Sequence, residues 1–311
     1  MKHIQNTLAI ILICLLSGNI FSSCNTVHGT EQSAQTMANI PYPQPRPDST
    51  ALTFLPGIVS TDSVEFDETF APDGKSFFFT RTENKKWKIY VSYNDGTNWT
   101  KPVVAPFTET KYSQADPAFS PDGKLYYISN RPKTKSDTST DYDIWFVTPL
   151  GNGKWSAPEN LKAINTKSDE YYMSFAKNGN LYFASSRKGG FGEEDIYVSR
   201  LVNKQYTKPE NLGPAINSKE SEYDPCISAN EDFIIFTSSG RGDSFGAGDL
   251  YGSKLVNKKW LPAVNLGKTF NTKVREYCSY LTPDSKYFFY SSGGNIKWIS
   301  AEAVKKIISA M

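Results

Sequence analysis

The chain has 311 residues, of which 39% are hydrophobic and 14% aromatic, and its formal net charge is +2. This length is enough to bury a large core, and the near balance of charge excludes the strongly basic surface typical of nucleic-acid-binding proteins. The many Tyr and Phe residues indicate a β-rich protein.

The N-terminus has the pattern of an export signal. Lys2 and His3 precede the apolar run LAIILICLL at 8–16, which is too short for an ordinary membrane-spanning helix but suits a signal-peptide core. The run leads to NIFSSC, which resembles a lipoprotein signal with small residues before Cys24. We expect residues 1–23 to be removed and Cys24 to carry the lipid; plain secretion with an incidental Cys is the alternative.

Residues 24–50 are polar and end in IPYPQPRPDST. Alternate prolines favour an extended, semi-stiff chain. The segment is therefore predicted to tether a domain at 51–311 to the outer membrane, on its periplasmic face or at the cell surface. The stretch NTVHGTEQ after Cys24 has no acidic cluster of the kind associated with surface export, which favours the periplasm.

One phrase recurs five times in the rest of the chain. The five copies are EFDETFAPDGKSFFFTR (65–81), QADPAFSPDGKLYYISNR (114–131), EYYMSFAKNGNLYFASSR (170–187), EYDPCISANEDFIIFTSSGR (222–241) and EYCSYLTPDSKYFFYSSGG (276–294). Their first residues, which we call the anchors, are Glu65, Gln114, Glu170, Glu222 and Glu276, and they are 49, 56, 52 and 54 residues apart. Each of the first four units contains four strand-like runs, with Asp-Gly or Asn-Gly turns in several units. This pattern predicts four-stranded propeller blades.

The fifth unit ends after its third run, NIKWIS at 295–300. The segment ALTFLPGIVS at 51–60 can supply the missing strand and close the ring, so that no large sheet edge stays unpaired. The count predicts five blades; a sixth, degenerate unit is the alternative. Only AEAVKKIIS at 301–309 reads as a helix.

The F-S-P-D-G-K turn, the S-x-R end of the second run and the D-I-Y of the third resemble the Pro-Asp repeats of TolB-like, WD-repeat-like propellers. The resemblance covers nearly all of 51–300 and implies an all-β propeller. It implies no particular activity, because propellers carry many functions. Such propellers are usually described with six blades, and the chain departs from them in that respect.

The chain has four cysteines, of which Cys14 leaves with the signal and Cys24 is the lipid site. Cys226 and Cys278 lie at positions of equal parity after their anchors, on the same side of equivalent strands. Adjacent blades meet through opposite faces, so we expect both thiols to be free and buried.

The chemistry available to the domain is limited. The only histidines are His3 and His28, outside the predicted domain, which excludes Ser-His-Asp catalysis and the usual zinc hydrolase sites. No G-x-S-x-G motif is present. The acidic loops GGFGEED and RGDSFGAGD lack the spacing of a calcium loop. We therefore predict no cofactor and no metal.

Carboxylate chemistry remains open. Asp67, Asp116 and Asp224 occupy one equivalent place, two residues after their anchors, where the other units have Tyr172 and Cys278. This uneven ring is either a set of hydrogen-bonded turns or the acid pair of a glycoside hydrolase. The turn SYNDGTNW at 92–99 resembles the Asp box of sialidases, with Asn in place of the first Asp.

The second run of four units ends in an arginine, and the third run of three units begins with an aspartate. These residues are Arg81, Arg131, Arg187 and Arg241, and Asp143, Asp195 and Asp249. They form ion pairs or loop hydrogen bonds within each blade, or the arginines line a recognition face with the anchors. Our first hypothesis is a non-enzymatic envelope lipoprotein whose propeller binds a protein or a polar, glycan-like ligand at the arginines and at Asp67, Asp116 and Asp224. The alternative is a glycoside hydrolase or sialidase-like enzyme that uses axial carboxylates.

Overall fold

The computed structural model describes residues 39–311, and the predicted signal peptide and Cys24 lie outside the described residues. The described chain is a β-propeller of five antiparallel, four-stranded blades. The prediction of an all-β fold with five blades is confirmed.

Each blade has its first strand at the axis and its fourth strand at the outer edge. Blade 1 contains Glu65–Phe70, Ser76–Glu83, Lys86–Tyr93 and Val103–Val104. Blade 2 contains Gln114–Phe119, Leu125–Ser129, Asp143–Val147 and Glu159–Asn160. Blade 3 contains Glu170–Phe175, Leu181–Ser185, Asp195–Ser199 and Glu210–Asn211. Blade 4 contains Ser221–Ile227, Phe233–Ser239, Asp249–Val256 and Val264–Asn265. Blade 5 contains Glu276–Leu281, Tyr287–Ser292, Asn295–Ser300 and Leu52–Thr53.

Three short hairpin extensions lie outside this plan. They pair Pro149–Gly151 with Lys154–Trp155, Leu201–Val202 with Gln205–Tyr206, and the end of Asp249–Val256 with Lys259–Trp260. The chain ends in the helix Ala301–Ser309, whose first turn is capped by the Ser300 side chain. No helix within residues 39–311 is long and apolar enough to cross a membrane.

The ring is closed by the N-terminal strand, as predicted. Leu52 pairs with Trp298 and Thr53 with Lys297 in an antiparallel register, and the backbone N–H of Phe54 donates to the carbonyl of Ile296 at 2.9 Å. Blade 5 therefore consists of the two ends of the chain, which leaves its third strand no open edge.

The five first strands contact one another in ring order and surround the axis. Each starts at or one residue before its anchor, so all five anchors lie at one end of the axis. We call this end the anchor face.

The core lies between the blades. Blades 5 and 1 pack through a cluster of fully buried rings that includes Phe54, Phe77, Phe289 and Trp298. Phe54 alone has ring centroids at 4.7–6.2 Å from four neighbours. Offset and edge-on packing of this kind stabilises aromatic cores beyond the area that is buried.

The interval predicted as a tether, 24–50, includes residues that pack onto the propeller. Ile40 and Tyr42 are buried in the core between blades 1 and 5. The Tyr42 hydroxyl donates to Asp284 at 2.8 Å, and the Trp99 indole N–H donates to the carbonyl of Pro41 at 3.1 Å. Ile40 and Tyr42 pack into this core, a contact that the proline pattern alone does not predict.

Cys226 and Cys278 are both buried and form no disulfide, as the strand parity predicted. Burial raises the pKa of the Cys226 thiol to about 12 and that of Cys278 well above its usual value. Neither thiol is therefore ionised at neutral pH, and both behave as small apolar side chains.

Candidate binding site at the propeller axis

The site begins with a backbone feature that all five blades share. Each first strand carries a β-bulge two residues after its anchor, where the pairing register shifts. The residues in this place are Asp67, Asp116, Tyr172, Asp224 and Cys278, and all five have φ between 44° and 57°. Such a conformation is uncommon for residues other than glycine. Its recurrence in every blade makes it part of the architecture.

Two of these aspartates join neighbouring blades. The Oδ2 atom of Asp116 accepts a hydrogen bond from the backbone N–H of Tyr172 at 3.2 Å, and Oδ2 of Asp224 accepts one from Cys278 at 2.6 Å. The N–H of Asp116 donates instead to the Thr80 hydroxyl at 3.1 Å. A bulge leaves its N–H outside the strand ladder, so each acceptor satisfies a buried donor of the next blade.

The three predicted aspartates are brought together. The carboxyl groups of Asp67 and Asp116 lie close enough to influence each other's pKa, and the charge of Asp224 acts on both. Desolvation and the neighbouring carboxyl groups raise the pKa of Asp67 well above its usual value, and desolvation with the charge of Asp224 does the same for Asp116. Desolvation raises the pKa of Asp224 to about 7 against the opposing effect of Arg275.

Glu68 is a fourth acid at this place, and the sequence reasoning missed it. Its side chain is buried, and neither of its carboxyl oxygens has a hydrogen-bond partner among the described residues. Burial raises its pKa well above the usual value. The equivalent residues of the other units are Pro117, Met173, Pro225 and Ser279. A charged residue where other repeats have Pro, Met or Ser was the signal available.

All four carboxyl groups also raise the pKa of the Cys278 thiol, which places them around one part of the axis. We call Asp67, Glu68, Asp116 and Asp224 the axial acid cluster. In residues 39–311, no three His, Cys, Asp or Glu side chains are arranged to hold a metal ion.

A closed circuit of aromatic rings lies on the anchor-face side of this cluster. Neighbouring ring centroids are 5.2–6.1 Å apart around most of the circuit. Arg275 completes it, because its guanidinium carbon lies 4.8 Å from the Tyr223 ring and 5.1 Å from the Tyr277 ring. We call this set the aromatic collar: Phe66, Trp87, Tyr142, Tyr171, Tyr172, Tyr223 and Tyr277.

Most of the collar is partly exposed. Trp87, Tyr142, Tyr171, Tyr172 and Tyr277 are half-buried and Arg275 is exposed. The Nε–H of Arg275 donates to the Tyr223 hydroxyl at 3.0 Å, which orients the guanidinium over the rings. The sequence reasoning assigned no role to the collar or to Arg275. The available signal was an arginine directly before the anchor in one unit only.

The four predicted arginines have partners in the fold. Arg81, Arg187 and Arg241 form salt bridges of 2.8, 3.1 and 3.0 Å with the anchors of their own blades, whose carboxylates are fully buried. In blade 2 the anchor is Gln114, and Arg131 pairs with Glu109 at 2.8 Å. The guanidinium carbons lie 4.7–4.9 Å from an aromatic ring of the third strand. These contacts give the arginines a structural role.

Among the described residues, these arginines form no ion pair with the aspartates at the start of the third strands, so the first of the two expected arrangements is not the one found. The aspartates at the start of the third strands bind loop amides, which was the other interpretation. Asp195 accepts hydrogen bonds from the N–H of Phe191 at 2.6 Å and of Gly192 at 3.1 Å. Asp249 accepts the equivalent bonds from Phe245 at 2.7 Å and Gly246 at 3.0 Å. Asp143 instead pairs with Lys133 at 3.1 Å.

The geometry does not favour the glycoside hydrolase alternative. Inverting and retaining glycosidases hold their two carboxyl groups about 5 to 9 Å apart, so that a sugar and water fit between them. Here Asp116 and Asp224 each accept a hydrogen bond from the backbone of the next blade, and both side chains are buried.

No protein-family model matches the chain, and no curated protein matches it. Among solved structures, a thermostable family-43 glycoside hydrolase is 12% identical with a TM-score of 0.51, over 78% of this chain and 90% of that one. TolB from Acinetobacter baumannii is 14% identical with a TM-score of 0.49, over 76% of this chain and 54% of that one. This chain thus spans about half the length of TolB. At these identities, the likeness to the family-43 enzyme shows a shared propeller fold and no activity.

Proposed function

We propose that this protein is a non-enzymatic binding protein of the cell envelope, and that its aromatic collar binds a protein or a polar, glycan-like ligand. The observation that carries the proposal is the closed circuit of rings at the anchor face, of which five are half-buried, together with exposed Arg275. Tyr, Trp and Arg are enriched in recognition sites because they combine a large apolar surface with a polar group.

The burial and hydrogen bonding of the axial aspartates support a non-enzymatic role. Asp116 and Asp224 are buried and accept hydrogen bonds from backbone N–H groups of neighbouring blades. These groups hold the first strands together. Histidine is also absent from residues 39–311, so the usual general base of hydrolases is not available there.

The location is proposed from the sequence. The apolar run at 8–16 and the small residues before Cys24 support export and lipidation, and a lipid on Cys24 would attach the propeller to the outer membrane. A Cys24→Ala variant should appear in the soluble fraction of exporting cells, whereas wild type sediments with membranes. A variant that stays in the membrane fraction contradicts lipidation.

The collar is tested by ligand capture. Wild-type protein, Trp87→Ala and Tyr171→Ala are used as baits for envelope extracts and on a glycan array. We expect both variants to lose at least tenfold in affinity for whatever wild type retains. Tyr93→Ala is the matched control, because Tyr93 is an exposed tyrosine of blade 1 outside the collar. Unchanged capture by both collar variants contradicts the proposed site.

A glycan hydrolysis screen runs beside the capture experiment. We expect no turnover. Turnover by wild type that disappears in Asp116→Asn would show that the axial acids are catalytic, and it would replace the binding proposal by the glycoside hydrolase alternative.

A further inference from the structure

We propose that the axial acid cluster binds an organic cation, a primary ammonium or guanidinium group on a flexible chain, which enters through the aromatic collar. The inference rests on the proposed function in one respect, the use of the collar as the entrance. It goes further by assigning the chemical class of the group that is bound.

The axial acid cluster contains several buried hydrogen-bond acceptors that have no donor. Both oxygens of Glu68, Oδ1 of Asp116 and Oδ1 of Asp224 are buried and have no hydrogen-bond partner among the described residues. The side chains of Glu68, Asp116 and Asp224 are only 1–2% exposed. Buried polar groups in native proteins are nearly always paired, and an unpaired one is costly. Four such oxygens on three neighbouring side chains favour a ligand that is rich in N–H donors.

Most of the axial acid cluster also lacks a positively charged partner. In residues 39–311, no lysine or arginine forms an ion pair with Asp67, Glu68 or Asp116. Arg275 acts on Asp224, whose pKa it lowers, and it is bonded to the Tyr223 hydroxyl. Three neighbouring acids therefore have no counter-charge of their own. Burial without a counter-charge favours their protonated forms, and a bound cation would favour their ionised forms.

The arrangement of the acids and the aromatic lining of the entrance suit an organic cation better than a metal ion. Calcium and magnesium need several oxygens that converge at about 2.0–2.6 Å on one point, and the described residues form no such group. The entrance is lined by the rings of the collar, whose faces attract ammonium and guanidinium groups. An ammonium has three donors and a guanidinium five, so either group can donate to acceptors on more than one of the three side chains.

The proposed ligand would reach the acid cluster from the anchor face. Asp67 and Tyr172, at the inner end of the collar, are half-buried, so each residue keeps part of its surface exposed. The lone charge can pass the rings while its chain lies against them. The same chemistry is carried by a lysine or arginine side chain of a peptide and by a free diamine, and the experiment separates these sources.

The test is titration calorimetry on the full chain with four probes: N-acetyl-lysine amide, methylguanidinium, putrescine and calcium chloride. N-acetyl-glutamine amide is the uncharged control probe. We expect the organic cations to bind and the uncharged amide and calcium not to bind. Affinity should rise at least tenfold from pH 5.5 to pH 8, with proton release, because the acids must ionise. Stronger binding of the lysine derivative than of putrescine indicates a peptide source, and the reverse order indicates a diamine.

Glu68→Gln and Asp67→Asn should each weaken cation binding at least tenfold. Glu210→Gln is the control, because it removes one charge from an exposed outer strand and should leave binding unchanged. If a cluster variant does not fold, the pH dependence and proton release of wild type still decide the question. Absence of binding by every organic cation at pH 8, preference for calcium, or unchanged binding by folded Glu68→Gln overturns the inference.

The two proposals fail separately. If Trp87→Ala loses the captured envelope ligand while no cationic probe binds wild type, the collar function stands and the cation site is wrong. If Glu68→Gln abolishes cation binding while the collar variants capture normally, the cation site stands and the collar function is wrong.

Discussion

The Oδ2 atom of Asp224 in blade 4 accepts a hydrogen bond of 2.6 Å from the backbone N–H of Cys278 in blade 5. Asp116 and Tyr172 repeat this contact between blades 2 and 3 at 3.2 Å. The aspartates that the sequence presents as possible catalytic acids thus connect the bulges of adjacent blades. This connection has a measurable consequence.

Replacing Asp224 by Ala should lower the free energy of unfolding by about 1–3 kcal/mol, because the buried N–H of Cys278 loses its acceptor. Asp224→Asn keeps an oxygen in the same place and should cost less. Urea denaturation monitored by tryptophan fluorescence measures both. If the Ala variant is as stable as the Asn variant, the hydrogen bond between Asp224 and Cys278 does not stabilise the fold.

Stability should fall as the pH rises through neutrality. Burial raises the pKa of Glu68 well above its usual value and that of Asp224 to about 7. In the unfolded chain both ionise near pH 4. Their contribution to the stability of the folded protein is therefore complete below about pH 4 and is lost as the pH rises through the folded pKa values.

We accordingly expect a lower urea midpoint at pH 8 than at pH 5.5, by at least about 1 kcal/mol in free energy. Groups with a lowered pKa, such as Asp137 at about 2, are already ionised in both states across this range. Glu68→Gln should show a smaller difference between the two pH values than wild type. An equal difference in wild type and variant would exclude Glu68 as a source.

The contribution of an ion pair to the free energy of unfolding should depend sharply on its burial. Arg241→Ala leaves the fully buried carboxylate of Glu222 without its cation, and loss of one partner of a buried pair costs about 3–5 kcal/mol. Arg241→Lys should recover part of this, since the lysine keeps the charge but loses the bond that the guanidinium donates to the carbonyl of Ile216.

The matched control for Arg241 is Arg200→Ala, which breaks an exposed pair with Glu210 at 3.6 Å. It should cost less than about 1 kcal/mol. Thermal and urea unfolding of the three variants decide the point, and equal losses for Arg200→Ala and Arg241→Ala would contradict it.

Two glycines of one loop should respond in opposite ways to Ala. A Cβ atom on Gly246 would lie 2.3 Å from the carbonyl oxygen of Val274 and 2.5 Å from that of Thr272. Both are backbone atoms of the neighbouring connection, so Gly246→Ala should destabilise by about 1–3 kcal/mol.

A Cβ atom on Gly242 meets nothing within 4 Å, and its φ is not in the left-handed region. Gly242→Ala should be neutral or should stabilise by up to about 1 kcal/mol, because the unfolded chain loses freedom. Chemical denaturation of the pair tests the packing of this loop. A neutral Gly246→Ala variant would show that the loop does not dock as described.

The repeat phrase predicted the fold well because it encodes local structure. Alternating apolar runs specify strands, and the Asp-Gly pair specifies the turn at Gly123, whose φ is 83°. The closure by Leu52 was predictable for a related reason, since a fifth unit without an outer strand has an edge to fill.

The partners of repeated residues were harder to predict. Arg187 recurs with both Glu170 and Asp195 in its unit, and spacing alone does not say which carboxylate it meets. The first and third strands lie on opposite sides of the second. The salt bridge therefore depends on the direction in which the Arg187 side chain leaves the end of that strand.

The sequence by itself determined the strands, the turns, the number of blades and the strand that closes the ring, because these follow from neighbours in the chain and from repetition. Only the tertiary structure decided which residues that break the repeat meet at the axis. Glu68 and Arg275 occur once each at their places in the repeat, and no periodic signal relates them. Ring closure brings blade 5, whose first strand follows Arg275, against blade 1, which contains Glu68, and burial gives Glu68 its perturbed pKa.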